Sequence, residues 1–160
     1  MHVFRGLPSP LQRRPSAVAI GNFDGVHLGH QALLEYVKEA AQARGLVPSV
    51  VTFEPHPKDF FGRGGEVARI STLYDKVNAI LETGIERIYI LPFNSRLACM
   101  PAETFVRDVL LKGLDACWMS VGKDFRFGGD RAGSVELLEE LSRTLPYELY
   151  GSPTFYHKEA

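Results

Sequence analysis

The chain has 160 residues, 45% of them hydrophobic and 23% charged, with a formal net charge of −1. That length suits one domain able to bury roughly two thirds of its unfolded surface. The near-neutral balance argues against a polyanionic partner such as nucleic acid or an acidic membrane, though not against small anionic ligands. No stretch approaches the ~18 apolar residues of a membrane span, and Met1 to Arg5 holds no apolar signal core. Cys99 and Cys117 form no CxxC pair, and both are read as reduced, buried small residues of a cytoplasmic protein.

Short apolar runs alternate with helical patterns along the whole chain. Ala17 to Ile20 reads as a buried strand, and Ala32, Leu33, Tyr36, Val37, Ala40 and Ala41 then recur at helical spacing up to a stop at Gly45. Val47 to Phe53 is the second strand. Ser71 or Thr72 suits the cap of a helix to about Glu82, with Gly84 behind it. Arg87 to Leu91 is the third strand. Pro101 and Glu103 fit the first turn of a helix that ends near Gly113. Ala116 to Val121 is the fourth strand, Ser134 to Arg143 the last helix, and Tyr147 to Tyr150 a short fifth strand. Strands separated by helices must pair in parallel, because parallel neighbours need a crossover. The expectation is an α/β fold with a doubly wound, Rossmann-like parallel sheet. Such sheets bind ligands beyond the C-terminal ends of their strands, at the switch point.

The segments that follow the strands therefore carry the functional signal. Directly after the first strand comes Gly21-Asn22-Phe23-Asp24-Gly25-Val26-His27-Leu28-Gly29-His30. Its glycines let the backbone turn tightly and approach a ligand. His27 and His30, three apart at a helix start, share a face, and helix N-terminal amides add partial positive charge. Together these make a phosphate site without a lysine; neither GxxxxGKS/T nor GxGxxG is present. Each histidine also has a plainer reading as a cap or packing residue. A zinc pair is another, but no third ligand has fitting spacing.

After the second strand, Phe53-Glu54-Pro55-His56-Pro57 forms a stiff exit, since proline disfavours helix before it and cannot join a ladder. After the fourth come Gly122-Lys123-Asp124-Phe125-Arg126-Phe127-Gly128 and, further on, Gly133. Phe125 and Phe127 suit packing or stacking, and Asp124 and Arg126 suit polar and phosphate groups. Lys58, Arg63 and Arg69 are read as ordinary solvated surface.

His-x-Gly-His after a buried strand resembles the signature of the HxGH nucleotidyltransferase superfamily. Preceded by Gly-Asn-Phe-Asp-Gly-Val, and with FxPxP-like and GxDFxFGxxxxG-like loops following later strands, the whole chain resembles the N-terminal domain of bacterial bifunctional riboflavin kinase/FMN adenylyltransferases, the FAD synthetases. The resemblance implies transfer of AMP from ATP to FMN, giving FAD and pyrophosphate, by in-line attack of an FMN phosphate oxygen on the α-phosphorus. The attacker is already anionic, so catalysis rests on positioning and charge neutralisation.

By the same resemblance, His27 and His30 are the catalytic pair, and Gly21, Asn22, Phe23, Asp24, Gly25, His27, Gly29 and His30 hold the ATP phosphates. Phe53, Pro55, Pro57, Asp124, Phe125, Arg126, Phe127 and Gly128 form the flavin site. Mg2+ is expected with ATP, bridging phosphates; Asp24 either lies near it or orders the loop, and no residue is assigned as a metal ligand. ATP and FMN are the expected partners, with no nucleic acid and no membrane. The family pattern continues into an I-S-S-T-x-x-R segment, whereas this sequence reaches Ala160 first. Residues 1–160 are accordingly read as an adenylyltransferase domain incomplete at its C-terminus, with the riboflavin kinase module absent and activity reduced. The rival readings are another HxGH nucleotidyltransferase and a non-catalytic flavin- or nucleotide-binding module.

Overall fold

The computed structural model describes residues 2–21, 23, 28–54, 66–92, 94–121 and 135–150. Six strands form one sheet: β1 (His2–Arg5), β2 (Ser16–Ile20), β3 (Val47–Glu54), β4 (Arg87–Pro92), β5 (Ala116–Val121) and β6 (Glu148–Leu149), in the order β1-β4-β3-β2-β5-β6. Every pairing is parallel. The helices are α1 (Leu28–Arg44), α2 (Glu66–Glu82), α3 (Ser95–Ala98), α4 (Ala102–Thr104) and α5 (Val135–Ser142). The expected doubly wound α/β architecture is therefore present, with β2 in the middle.

Strand alternation divides the core between the two faces of the sheet. Ala17, Ala19, Val50, Ile88, Ile90 and Trp118 point to one face, where they meet Leu33, Leu34, Val37, Ala40 and Ala41 of α1 and Ile80 of α2. Val18, Ile20, Val51, Phe53, Tyr89, Leu91, Met119 and Val121 point to the other, covered by Phe105, Val106, Val109, Leu110 and, from α5, Leu138. Gly45 ends α1 at φ +69, the left-handed conformation that glycine adopts without a Cβ penalty.

Four local expectations need correction. β1 was not anticipated: it is a short edge strand paired with β4, His2 opposite Arg87. Its four residues are too few to show a period, and Phe4 stacks on Tyr89 with ring centroids 5.0 Å apart. The second helix starts at Glu66, not at Ser71 or Thr72. Val67, Ile70, Leu73, Val77 and Ile80 continue one helical stripe, so the hydroxyls fall inside the helix although their chemistry suits a cap.

The helix expected from Pro101 to Gly113 is α4 running directly into a π-wound segment, Phe105–Gly113. Phe105, Val109 and Leu114 are all buried. At 3.6 residues per turn, residues nine apart lie on opposite sides, whereas the wider i→i+5 winding, with roughly 4.4 residues per turn, keeps them on one face. Finally, both cysteines are free, but Cys99 is exposed and Cys117 only partly covered. Cys99 follows α3, a short surface helix capped by Asn94 Oδ1 accepting from the Leu97 amide at 3.0 Å. Cys117 lies at a register shift in the β2–β5 ladder, where Ser16 pairs with Ala116 but Ala17 with Trp118.

Candidate functional site at the C-terminal end of the sheet

From β2 the chain crosses to β3 on one side of the sheet; from β5 it crosses to β6 on the other. The divergence opens a crevice above the neighbouring strands β2 and β5. The ladders set the height of its walls. Ile20, the last residue of β2, pairs with Val51 and with Val121, the last residue of β5. β2 and β5 thus end side by side at one level. β3 rises three residues higher, to Glu54, beside Pro92 of β4.

At the exit of β2 the Gly21 amide extends the ladder by donating to the Val51 carbonyl at 3.1 Å. A Cβ on Gly21 would lie 3.3 Å from Phe23 Cε2, so the close approach of the Phe23 ring favours glycine. Phe23 itself is only 2% exposed and has φ +53, a conformation unusual for a bulky residue. Its ring lies in the core beneath α1, with Leu33 and Leu34. A left-handed aromatic persists only where packing over-determines it. Phe23 anchors the exit of β2 to the core.

α1 begins at Leu28, which puts Gly29 and His30 in its first turn. That turn contains no acidic side chain, and the last turn ends with Arg44. The partial positive charge at the N-terminus is therefore not offset by a carboxylate of the helix itself. On its β6 flank the helix is buttressed by aromatic rings. Tyr36 and Trp118 approach Tyr150 at 5.0 and 5.7 Å, and Ser120 Oγ donates to the Tyr150 carbonyl at 2.8 Å. Burial, together with Tyr36 and the nearby Glu39 carboxylate, pushes the Tyr150 hydroxyl above its ordinary pKa. At the far end of α1, the Arg44 guanidinium grips Glu148 through two hydrogen bonds of 3.1 and 2.9 Å.

Of the residues singled out in the sequence, Gly21 and Phe23 are at the β2 exit, Gly29 and His30 on the first turn of α1, and Phe53 near the top of β3. The Phe53 ring is buried on the opposite face, 6.4 Å from that of Phe105. Asn22, Asp24, Gly25, His27, Pro55, Pro57, Asp124, Phe125, Arg126, Phe127 and Gly128 lie outside the described residues. The strands that precede them, β2, β3 and β5, run parallel and end on the same side of the sheet. Sequence reasoning passed over Lys76, which is 4% exposed and the only charged side chain buried among the described residues. The signal was available: Lys76 interrupts the apolar stripe of Leu73, Val77 and Ile80. Among the described residues, no cluster of three His, Cys, Asp or Glu could hold a metal ion, and no helix is long and apolar enough to cross a membrane.

Comparison with known proteins gives a consistent family. The chain is 35% identical over 158 residues to the bifunctional riboflavin kinase/FMN adenylyltransferase of Escherichia coli K12, covering 97% of this chain and 50% of that protein. The protein of the same name from Pseudomonas fluorescens is 41% identical over 140 residues, covering 87% and 45%. The chain thus spans about half the length of the curated relatives it matches. Among solved structures, a protein from Streptococcus pneumoniae named as a macrolide-efflux protein aligns with a TM-score of 0.73 at 25% identity, over 96% of this chain and 58% of that one. That likeness is one of fold. The model of the FAD synthetase family matches residues 9–160, nearly the whole sequence, and this chain belongs to that family.

Proposed function

We propose that this chain is an FMN adenylyltransferase, moving the AMP group of ATP onto FMN to give FAD and pyrophosphate. The observation that carries the reading is the family match over residues 9–160, which includes all three strand-end segments that resemble the family's ligand loops. The relatives' names couple this activity to a riboflavin kinase, and the reading here concerns the adenylylating half alone.

In this reading the ATP phosphates lie over the corner between β2 and α1. His27, His30 and the amides near Gly29 neutralise charge as an FMN phosphate oxygen attacks the α-phosphorus and pyrophosphate departs. Gly21, Asn22, Asp24 and Gly25 shape that corner. Phe23 serves it from below, because its ring is committed to the core. The flavin occupies the crevice between the segment after β3, with Pro55 and Pro57, and the segment after β5, from Asp124 to Gly128. The buried Phe53 ring anchors the first of these. Mg2+ accompanies ATP in this scheme; the described residues form no cage for it. A hard cation held mainly by phosphate oxygens and water needs few protein ligands.

The test is to incubate the chain with ATP, Mg2+ and FMN and measure FAD and pyrophosphate together. Both should appear in equal amounts. His30→Ala should reduce turnover by roughly 10²–10³, as expected for loss of one transition-state donor, with FMN binding nearly unchanged. Turnover preserved within a factor of about three would make His30 a packing residue and overturn its assignment.

A further inference from the structure

β1 is an edge of the sheet, and its ladder shows where its backbone groups point. The His2 amide donates to the Glu86 carbonyl at 2.9 Å, one residue before its register partner Arg87. In a parallel ladder such residues alternate, so His2 and Phe4 turn their backbone groups toward β4 while Val3 and Arg5 turn theirs away. Among the described residues no strand lies beyond β1, and three of its four residues are exposed. Exposed apolar side chains gather in the same stretch. Val3, Leu7 and Leu11, at 44, 46 and 88% exposure, are three of the four large ones among the described residues. An open, partly apolar edge is a template for another strand.

A second β1 fits that edge in one register. Antiparallel pairing joins outward-facing residues to outward-facing residues, which here means Val3 and Arg5. Arg5 opposite Arg5 would set like charges together. Val3 opposite Val3 would leave Arg5 beyond the end of the other β1. Val3 opposite Arg5 uses both residues of both strands, and each such pair exchanges two hydrogen bonds. In that register Phe4 meets Phe4 across the two-fold axis as a non-hydrogen-bonded pair, the closer kind. Phe4 is half-buried and already stacks on Tyr89, with ring centroids 5.0 Å apart, so the axis would join two aromatic pairs, a favourable cross-strand arrangement. His2 falls opposite Gly6, where a Cβ would meet nothing within 4 Å. On the other face the aliphatic stem of Arg5 lies across the exposed Val3.

We propose that β1 is a self-association edge: two copies of this chain pair their β1 strands antiparallel, Val3 opposite Arg5, into a two-fold dimer with one continuous sheet. The contact is isologous, the same four residues serving both copies. It is also short, which makes the dimer weak and concentration-dependent rather than permanent. β4 and β3 stand between β1 and the crevice above β2 and β5, so pairing at this edge does not involve the strands that flank the crevice. The inference is independent of the adenylyltransferase reading.

The experiment is sedimentation equilibrium on the untagged natural chain over a wide range of concentration, with amide hydrogen exchange measured alongside. The chain should pass from monomer to dimer as concentration rises, and exchange at the Val3 and Arg5 amides should slow in step. Val3→Pro removes an outward donor and spares the β1–β4 ladder, since the Val3 amide faces away from β4. It should weaken the dimer at least about tenfold, because two of its hydrogen bonds are lost. Val3→Lys sets a cation opposite Arg5 and should weaken it similarly. Adding Arg5→Glu to Val3→Lys restores opposite charges across the pair and should recover the natural dissociation constant to within about threefold. A natural chain that stays monomeric at the highest concentration reached would overturn the proposal. So would a dimer that survives both single substitutions, or one that leaves Val3 and Arg5 exchanging freely. If Val3→Pro releases β1 from β4, seen as fast exchange at the Phe4 amide, the charge pair decides; failure of Arg5→Glu to rescue Val3→Lys then overturns the register and the proposal with it.

Discussion

On the face beneath α1 and α2, the central strand presents only Ala17 and Ala19, and the same layer holds the left-handed Phe23 and the buried Lys76. On the opposite face the same strand presents Val18 and Ile20, and β3, β4 and β5 add Val51, Phe53, Tyr89, Leu91, Met119 and Val121 beneath the π-wound helix. Small residues let α1 settle close to the sheet, bringing its first turn to the crevice. Large ones on the other side fill a mainly apolar layer. The first face accepts strain and buried charge, features that recur at functional sites, while the second provides hydrophobic stability. A substitution should therefore read out differently according to the face it enters.

The largest expected effect belongs to the apolar layer. Leu110→Ala removes a side chain with 0% exposure from the π-wound segment and should cost about 2–5 kcal/mol in urea unfolding. Adenylylation per folded molecule should change little. A large loss of turnover in protein that remains folded would break the division between the faces.

Gly21→Ala probes the other layer. Its Cβ would meet the Phe23 ring at 3.3 Å, so we expect a moderate stability loss of about 1–2 kcal/mol, in the usual range for overpacking. The KM for ATP should rise more than that for FMN, because the displaced ring underlies the β2–α1 corner. Equal changes in both would detach Phe23 from that corner.

The smallest effect sharpens the comparison through pH. The Tyr147 hydroxyl donates to the Leu138 carbonyl at 2.6 Å, and burial pushes its pKa up to about 12. A tyrosine whose folded pKa is raised binds its proton more tightly in the native state. Its stability contribution is complete below the unfolded value near 10 and is lost as pH rises toward 12. Tyr147→Phe should cost about 1 kcal/mol at neutral pH and flatten the alkaline decline of the melting temperature, leaving substrate KM values unchanged.

Much of this arrangement was legible in the sequence. The five strands from β2 to β6 and their parallel pairing follow from apolar runs separated by helical patterns. The first turn of α1 falls at His30 because a glycine-rich exit precedes a clear helical stripe. What escaped was local. β1 gains its strand character from Tyr89 and Arg87 of β4, partners some 85 residues away that no local pattern reveals. The π winding is written in the spacing of Phe105, Val109 and Leu114, a period that a search for 3.6 passes over. Phe23 looks like one more ligand-loop residue, and only packing turns its ring inward. Lys76 reads as surface because lysine usually is.

The edge position of β1 also bears on how the chain is built. His2 pairs with Arg87, the Arg87 guanidinium donates to the Gln12 carbonyl at 2.7 Å, and Arg13 donates to the Lys112 carbonyl. Residues 2–13 thus find their partners only after residues 86–112 have been made. During synthesis, which adds about 5–20 residues per second, the sheet can grow outward from β2 and β3 while residues 2–15 wait. Closing that long loop carries an entropic cost that local contacts cannot offset early on. The N-terminal strand is therefore a late addition, and β4 remains an open edge until it docks.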